Sequence, residues 1–257
     1  MNGFKDHFSA QAGAYAEFRP GYPQELVDAL AERAPGRGLA WDVGAGSGQF
    51  SKLLATRFEH VIATDASAAQ LAHALPHARV GYRVEREVAA SLAASSADLV
   101  AVAQAAHWFE LARFYAEVRR VAKPGGVLAL VADGNAELEP DLEPAFADFY
   151  GRTLGGDWPP ERRHVLAGYR DVEFPFEELD LPTFELSAAW TVDEFLGYVS
   201  TWSAVASARR AGREGDLRDF DQRFRTLWGA VERRPIRWPL FVRAGRVIPG
   251  SPAGREG

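Results

Sequence analysis

The feature that most constrains this chain is a glycine-spaced turn set between an apolar run and a segment of helical period. Leu39-Ala40-Trp41-Asp42-Val43 reads as a buried strand and Gly44-Ala45-Gly46-Ser47-Gly48 as the turn. Phe50, Leu53, Leu54 and Phe58 then share one face of the helix that follows. Glycines allow a tight turn and let a ligand touch the backbone, and the helix start beyond offers free amides to an anionic group. A second apolar run, residues 60–64, leads into Asp65. In dinucleotide-binding folds an acid about 20 residues past the loop accepts hydrogen bonds from ribose hydroxyls. Loop, acid and context together read as an adenosine-type site at the carboxyl edge of a parallel sheet. The plainer reading is a strand turn followed by an Asp that caps the next helix.

The alternation continues downstream. Val80–Val84 and the runs at 98–102 and 127–131 are of strand length. Leu111, Phe114, Tyr115, Val118 and Val121 share a face of a helix that is expected to stop at Lys123-Pro124-Gly125-Gly126. Strands alternating with helices predict an α/β fold, a doubly wound and mostly parallel sheet. After Val131 the pattern changes. Leu142, Phe146, Phe149 and Tyr150 form a helical stripe, and Gly155-Gly156-Asp157-Trp158-Pro159-Pro160 a turn, predicting a helical cap over 135–170. Residues 174–179 and Phe184–Trp190 read as extended, and 237–247 as a final strand. Thr191-Val192-Asp193-Glu194 is a capping box. It opens a helix carrying Phe195, Leu196, Val199, Trp202 and Val205 on one side, and Leu217, Phe220, Phe224, Leu227, Trp228 and Val231 mark another. The expected organisation is one domain over 1–257: an N-terminal lid and helix (1–34), a cofactor-binding core (35–134), the cap insertion (135–170), C-terminal strands and helices (171–248) and a disordered tail (249–257).

Composition removes several function classes. Among 257 residues there is no cysteine, which excludes disulfides, thiolate metal sites and cysteine nucleophiles. Of the six histidines, His73 and His77 come nearest to a helical metal pair, but Pro76 between them should break that helix; no metal is expected. A net charge of −6 without a dense Lys/Arg stripe argues against a nucleic-acid partner. The opening MNGFKDHFSAQAG has no apolar core of a signal peptide, and no stretch is long and apolar enough to span a bilayer. The expectation is a cytoplasmic protein without a membrane partner, its oligomeric state left open.

Which adenosine cofactor the loop serves depends on spacing. A nicotinamide fingerprint needs G-x-G-x-x-G, and position 49 is Gln; a Walker loop needs Gly-Lys-Ser/Thr, which is missing. Asp42 followed by Gly44, Gly46 and Gly48 resembles the first motif of the class I S-adenosylmethionine-dependent methyltransferases, an acid and then G-x-G-x-G. Ser96-Ala97-Asp98-Leu99-Val100 with Gln104-Ala105-Ala106-His107-Trp108-Phe109 resembles the fourth-strand motif of the type 11 methyltransferases. Its Ala-x-His-Trp-Phe segment is similar to the trans-aconitate-methyltransferase-like branch. Phe114 through Glu117, Arg120, Val121 and Lys123 through Gly126 match the segment before that family's fifth strand. Phe8, Tyr15, Arg19-Pro20 and Tyr22-Pro23 resemble the branch's opening lid. The match is dense over roughly residues 8–132 and thinner beyond, with echoes at Thr201 through Val205 and at Trp238-Pro239-Leu240.

The resemblance implies a seven-stranded Rossmann-like sheet, S-adenosyl-L-methionine as cofactor with S-adenosyl-L-homocysteine as product, and a small-molecule methyl acceptor, a carboxylate among the candidates. It places Gly44, Ala45, Gly46 and Gly48 against the methionine moiety, with Asp42 orienting the loop or meeting the cofactor's amino group. It gives Asp65 both ribose hydroxyls and sets Ala66 beside the adenine. The family often has a Gly-Asp-Ala-Glu-like segment after the third strand; here Glu85-Arg86-Glu87-Val88 stands there, so Glu87 is assigned the adenine amino group, with Glu85 as rival. Gln104 faces the cofactor, and His107 and Trp108 begin the wall toward the acceptor. His107 is the candidate general base, since an imidazole titrates near neutrality; the alternative is a histidine that hydrogen-bonds within its loop. Trp108 either packs in the core or lies near the sulfonium, which an aromatic face attracts. Tyr15, Arg19 and Tyr22 close over the cofactor, Arg19 pairing its carboxylate, or else form a surface helix leading into Pro23. Trp158, Tyr198 and Trp202 are candidate acceptor walls, and Arg162, Arg163 and His164 candidates to meet a carboxylate. Core packing and a solvated face explain these six more simply. Rival functions are a non-catalytic cofactor-binding or partner-docking protein on the same fold and a dehydrogenase, against which Gln49 argues.

Overall fold

Five short runs of apolar residues become five parallel strands: β1 (Leu39–Val43), β2 (His60–Asp65), β3 (Val80–Val84), β4 (Ala97–Ala103) and β5 (Ala122–Asp133). The computed structural model describes residues 20–74, 76–89 and 91–248. Tyr15, Arg19, most of the expected lid and the expected disordered tail lie outside them. The strands pair in the order β3-β2-β1-β4-β5. Beyond them, β6 (Glu177–Glu178) and β7 (Phe184–Trp190) form one interrupted outer edge along β8 (Arg234–Arg246), which runs antiparallel to β5. Eight segments thus fill seven positions of a mostly parallel sheet. Strand order reverses between β1 and β4, and the crevice beyond the carboxyl ends at such a switch point is where open α/β sheets bind ligands.

Side chains of successive strand residues leave on opposite faces, and each face builds its own core. Ala40, Leu99, Ala101, Val127, Ala129 and Val131 join one cluster; Trp41, Val43, Val100, Val102, Leu128 and Leu130 join the other. Helices α1 (Gln24–Arg33) and α2 (Gln49–Leu54) cover the first face through Leu26, Leu30, Phe50 and Leu54. The short α3 (Ala68–Leu71) is capped by Ser67, whose Oγ accepts the Gln70 amide. The second face is covered by α4 (Leu111–Val121), with Phe114, Val118 and Val121 buried as its periodicity predicts.

The cap is made of α5 (Glu143–Asp148), which runs on into a π-helical turn (Phe149–Thr153), and α6 (Arg162–Leu166). α5 and the π-helical turn share one cluster with α7 (Val192–Ser200), α8 (Ser203–Arg210) and α9 (Glu214–Trp228), whereas Val165 of α6 joins the cluster on the second face. Phe149 stacks on Phe220 with centroids 3.7 Å apart, and Phe146 meets Phe195 and Trp202 edge-on. The capping box at Thr191 and Glu194 closes as the sequence predicts.

Several boundaries differ from the sequence reading, and the one helix expected to carry Phe195 through Val205 is broken at Thr201 and Trp202 into α7 and α8. The strand expected over 174–179 shrinks to Glu177–Glu178, because Phe174 and Phe176 turn onto Tyr115 and crowd Gly245 instead of extending a ladder. Pairing of β5 with β4 begins already at Ala122, with a register shift between Ala97 and Leu99 that accommodates the Pro124-Gly125-Gly126 stretch. The last strand begins at Arg234, since β7 offers a partner as far as Trp190. Among the described residues no helix is long and apolar enough to cross a membrane.

Candidate active site

The glycine loop lies across the carboxyl ends of β1 and β2. Gly44, Gly46 and Gly48 all have positive φ (71°, 56° and 78°), a region that other L-residues enter at a cost of about 1–2 kcal/mol. A Cβ on Gly44 would stand 2.4 Å from the Ala105 Cβ, and one on Gly48 2.4 Å from the Tyr82 hydroxyl. The amides of Gly44 and Ala45 both donate to the Thr64 carbonyl (2.8 and 3.0 Å), which ties the loop to the end of β2. Gly46 donates to Asp65 Oδ2 (2.9 Å), while Asp65 Oδ1 accepts the Ser67 amide (2.8 Å). Two amides therefore orient this half-buried carboxylate. Ala66, half-buried, follows directly.

Beneath the loop, Asp42 is fully buried. Its Oδ2 accepts the Ser51 hydroxyl at 2.5 Å, strapping α2 to β1, while Oδ1 has no partner among the described residues. Burial raises the Asp42 pKa to about 7, opposed by the Ser51 hydrogen bond and helped by the charge of Asp65. At the end of β3 the Glu85 amide donates to the Asp65 carbonyl (3.0 Å), and Glu85 Oε2 is a second buried oxygen without a partner among the described residues. Glu85, Arg86, Glu87, Val88 and Arg113 line a cavity of about 490 Å³.

Gln104 follows β4 directly, with a positive φ of 56°. Its backbone amide donates to the Val131 carbonyl, and its side-chain amide donates to the Asp133 carboxylate. A single 3₁₀ turn, Ala106–Trp108, follows. His107 Nδ1 lies 3.1 Å from the Tyr169 hydroxyl, and its ring centroid is 4.6 Å from that of Trp108, which is half-buried. Burial pushes the His107 pKa down to about 3, and the positive fields of Arg162 and His164 push it the same way. Tyr169 is buried, and burial drives its phenol well above the ordinary range. Its own φ is +58°, directly after Gly168 at +57°. The carbonyls of Tyr169 and Val172 both accept from Arg243 Nη1 (2.6 and 2.8 Å), which holds this strained corner in place.

Comparison with known proteins bears on this geometry. Residues 41–130, from β1 to near the end of β5, match the family model of a methyltransferase domain. Over 247 residues, covering 93% of this chain and 94% of the relative, the sequence is 31% identical to a Dictyostelium discoideum protein named as a methyltransferase. This chain belongs to the class I S-adenosylmethionine-dependent methyltransferases. A solved structure of a type II methyltransferase from Anaeromyxobacter dehalogenans is 46% identical, with a TM-score of 0.83 over 90% of this chain and 99% of that one. The malonyl-[acyl-carrier protein] O-methyltransferase of Dechloromonas aromatica is 36% identical over 155 residues, 58% of this chain and 57% of that protein. S-adenosylmethionine is accordingly the cofactor of this methyltransferase. The open space at Gly46, the Asp65 carboxylate at the end of β2 and the buried Asp42 and Glu85 oxygens that lack a partner among the described residues fit a cofactor with polar hydrogen-donating groups.

On the cap side, the candidates singled out in the methyltransferase sequence separate. Tyr198 and Trp202 are buried in the aromatic core, the Tyr198 hydroxyl accepting from Trp238 Nε1 (3.1 Å). Arg163 is exposed, and His164 pairs with Asp171 (2.9 Å). Arg162 turns inward: it donates to the Tyr150 hydroxyl (2.6 Å) and Asn135 Oδ1 (2.9 Å), with its guanidinium 4.3 Å over the Trp158 ring. Sequence reasoning missed Ser51, Tyr82, Asp133 and Tyr169. Asp133 and Tyr169 act through partners 29 and 62 positions away, Tyr82 lies against Gly48 from another strand, and Ser51, nine residues from Asp42, carries no pattern that marks it.

Proposed function

We propose that the acceptor is a small molecule received between the carboxyl edge of β4 and β5 and the cap, and that it is methylated on a carboxylate. The observation that carries this reading is the state of His107. Burial holds its imidazole neutral down to about pH 3, with Nδ1 engaged by Tyr169. An imidazole so depressed is a poor proton acceptor at neutral pH, so the favoured nucleophile is one already ionised when it arrives. In this reading His107 positions the acceptor or the wall it rests on. The name of the Dechloromonas relative, an O-methyltransferase acting on malonyl-acyl-carrier protein, lends the oxygen acceptor further support.

When bound, the cofactor supplies an electrophilic methyl carbon on a sulfonium that departs as a neutral thioether. The protein's task is then alignment and exclusion of water, and positioning alone can be worth about 7–11 kcal/mol of barrier. In the proposed assignment the Gly44–Gly48 turn cradles the methionine end, Asp42 meets its ammonium, and Asp65 takes the ribose hydroxyls. Ala66 and a glutamate of the 85–87 stretch receive the adenine, and Gln104 and Trp108 form the wall beside the transferred group. Tyr15 and Arg19, outside the described residues, are proposed as the lid, with the 135–170 cap completing the acceptor side.

Calorimetric titration with S-adenosylmethionine, S-adenosylhomocysteine and NAD tests the cofactor assignment, with saturable binding of the first two expected. An acceptor screen read by release of S-adenosylhomocysteine, pairing carboxylic acids with their amides, tests the rest. Turnover of the amides with none of the acids overturns the carboxylate reading.

A further inference from the structure

Arg162 differs from three other inward-turned arginines of this molecule. Arg213, Arg234 and Arg243 each pair with at least one carboxylate. Arg162 pairs with none among the described residues, although it is half-buried. Its two hydrogen bonds go to neutral oxygens of Tyr150 and Asn135, using Nε and one Nη2 proton. A guanidinium has five N–H donors, so three remain without an acceptor among the described residues. The head is not free to swing out and find one. Trp158 lies under it at 4.3 Å and Tyr150 flanks it at 5.4 Å, while the Trp158 Nε1 donates to the Tyr150 carbonyl and fixes the ring (3.1 Å).

The anchor and the neighbour give this charge a location. Asn135 follows two residues after Asp133, the last residue of β5 and the partner of Gln104. The charge of Arg162 is also felt at His107, where it opposes protonation. The cation is therefore preorganised at the carboxyl edge of the sheet, on the cap side of His107, in a setting that weakens water's competition for its donors.

We infer that Arg162 is the anchor for an anionic group of the acceptor, a carboxylate or a phosphate, other than the atom that is methylated. The separation follows from charge: a guanidinium held against the attacking oxygen would withdraw the electron density that attack requires, whereas held against a second anion it fixes orientation bidentately. The acceptor then carries two functional groups, one held by Arg162 and one presented for methylation. This rests on the acceptor site proposed above, and its test does not depend on knowing the acceptor.

The experiment follows Trp fluorescence and thermal shift of the full chain loaded with S-adenosylhomocysteine, titrated with succinate, phenyl phosphate and the neutral control succinamide. Saturable binding of succinate or phenyl phosphate is expected in the wild type, whichever binds identifying carboxylate or phosphate as the anchored group. Arg162→Gln should weaken it roughly tenfold or more, the loss expected for charge-assisted hydrogen bonds, and Arg162→Lys should retain part of it. Affinity for S-adenosylhomocysteine should be unchanged in both variants. Equal anion binding by wild type and Arg162→Gln, or no saturable anion binding at all, overturns the inference. So does a fall in S-adenosylhomocysteine affinity in Arg162→Gln, which would assign the guanidinium to the cofactor carboxylate. Failure of the wild type to bind S-adenosylhomocysteine would count against the cofactor site instead, and the same anion titrations on unloaded protein would still decide the role of Arg162.

Discussion

The Tyr169 hydroxyl sits 3.1 Å from His107 Nδ1 across 62 positions of sequence, the tyrosine fully buried and the histidine half-buried. The folded protein holds His107 at a pKa of about 3 against an ordinary 6.5. A depressed imidazole pKa stabilises the fold above pH 6.5, and that contribution is lost as the pH falls from 6.5 toward 3, because the unfolded chain binds the proton first. His107→Gln should therefore flatten the acid limb of stability measured by denaturant unfolding between pH 7 and 4. The pH–rate profile should show no step near 6.5 belonging to His107; a step that vanishes in His107→Gln would make it the base after all. Tyr169→Phe, which leaves the ring nitrogen without its partner, should cost about 1–3 kcal/mol of stability.

Asp42 predicts the opposite sign. Its folded pKa is raised from 3.8 to about 7, so it destabilises the fold progressively as pH rises from about 4 to 7, and no further above that. If the cofactor ammonium binds beside it as proposed, the ionised form is favoured in the complex. S-adenosylmethionine affinity should rise with pH up to about 7 and then level off, and binding below pH 7 should release a proton. Calorimetry in buffers of different ionisation enthalpy reads that proton directly. Asp42→Asn should abolish both the slope and the proton release; if Asp42 only orients the loop, the variant keeps wild-type affinity across the range.

Gly44 and Ala105 provide a test of packing that needs no cofactor. Gly44→Ala adds an atom 2.4 Å from the Ala105 Cβ at a φ of +71°. The conformation costs about 1–2 kcal/mol and the overlap about 1–3 kcal/mol more. Ala105→Gly removes the obstructing atom, so the double variant should recover the overlap and keep the conformational cost. Urea unfolding of the four proteins measures this cycle; strict additivity would mean that the turn and the β4 loop do not touch.

Asp65→Ala removes the acceptor proposed for the ribose hydroxyls, with charge-assisted bonds worth roughly 1.5–3 kcal/mol each before compensation. It also frees the amides of Gly46 and Ser67 that the carboxylate now holds. S-adenosylhomocysteine affinity should fall at least tenfold by calorimetry. Unchanged affinity would mean that another residue takes the ribose.

What the sequence showed and what it hid divide by distance along the chain. β1, β3 and β7 begin and end where their apolar runs do, since alternation and flanking turn residues are local signals. The glycine loop and Asp65 were legible for the same reason: turn, strand and acid lie within one strand–helix–strand unit. The strand expected over 174–179 was lost to aromatic packing on Tyr115, 59 residues away from Phe174, which no window of sequence contains. Likewise Arg162 and Arg163 are adjacent in sequence, yet only the first meets Asn135 and Trp158. An arginine's role there depends on which face of a one-turn helix the cap presses against the sheet.

The choice between Glu85 and Glu87 for the adenine amino group can be decided by a signature specific to that group. Sequence favoured Glu87, yet in the structure Glu85 stands immediately after Val84, the register partner of Asp65, and its Oε2 is a buried oxygen lacking a partner among the described residues. Glu87 lines the same cavity without such an orphaned atom. Affinity alone does not separate the two, since either substitution alters the local charge. The ratio of affinities for S-adenosylhomocysteine and its inosine analogue does, because the analogue replaces the donating amino group with an accepting oxygen. In the wild type the carboxylate should favour the adenine form by about tenfold or more, a charge-assisted donor being exchanged for repulsion. Glu85→Ala should collapse that ratio toward unity while Glu87→Ala preserves it. Collapse in Glu87→Ala alone would restore the register read from sequence, and preservation in both would move the adenine amino group to a backbone carbonyl.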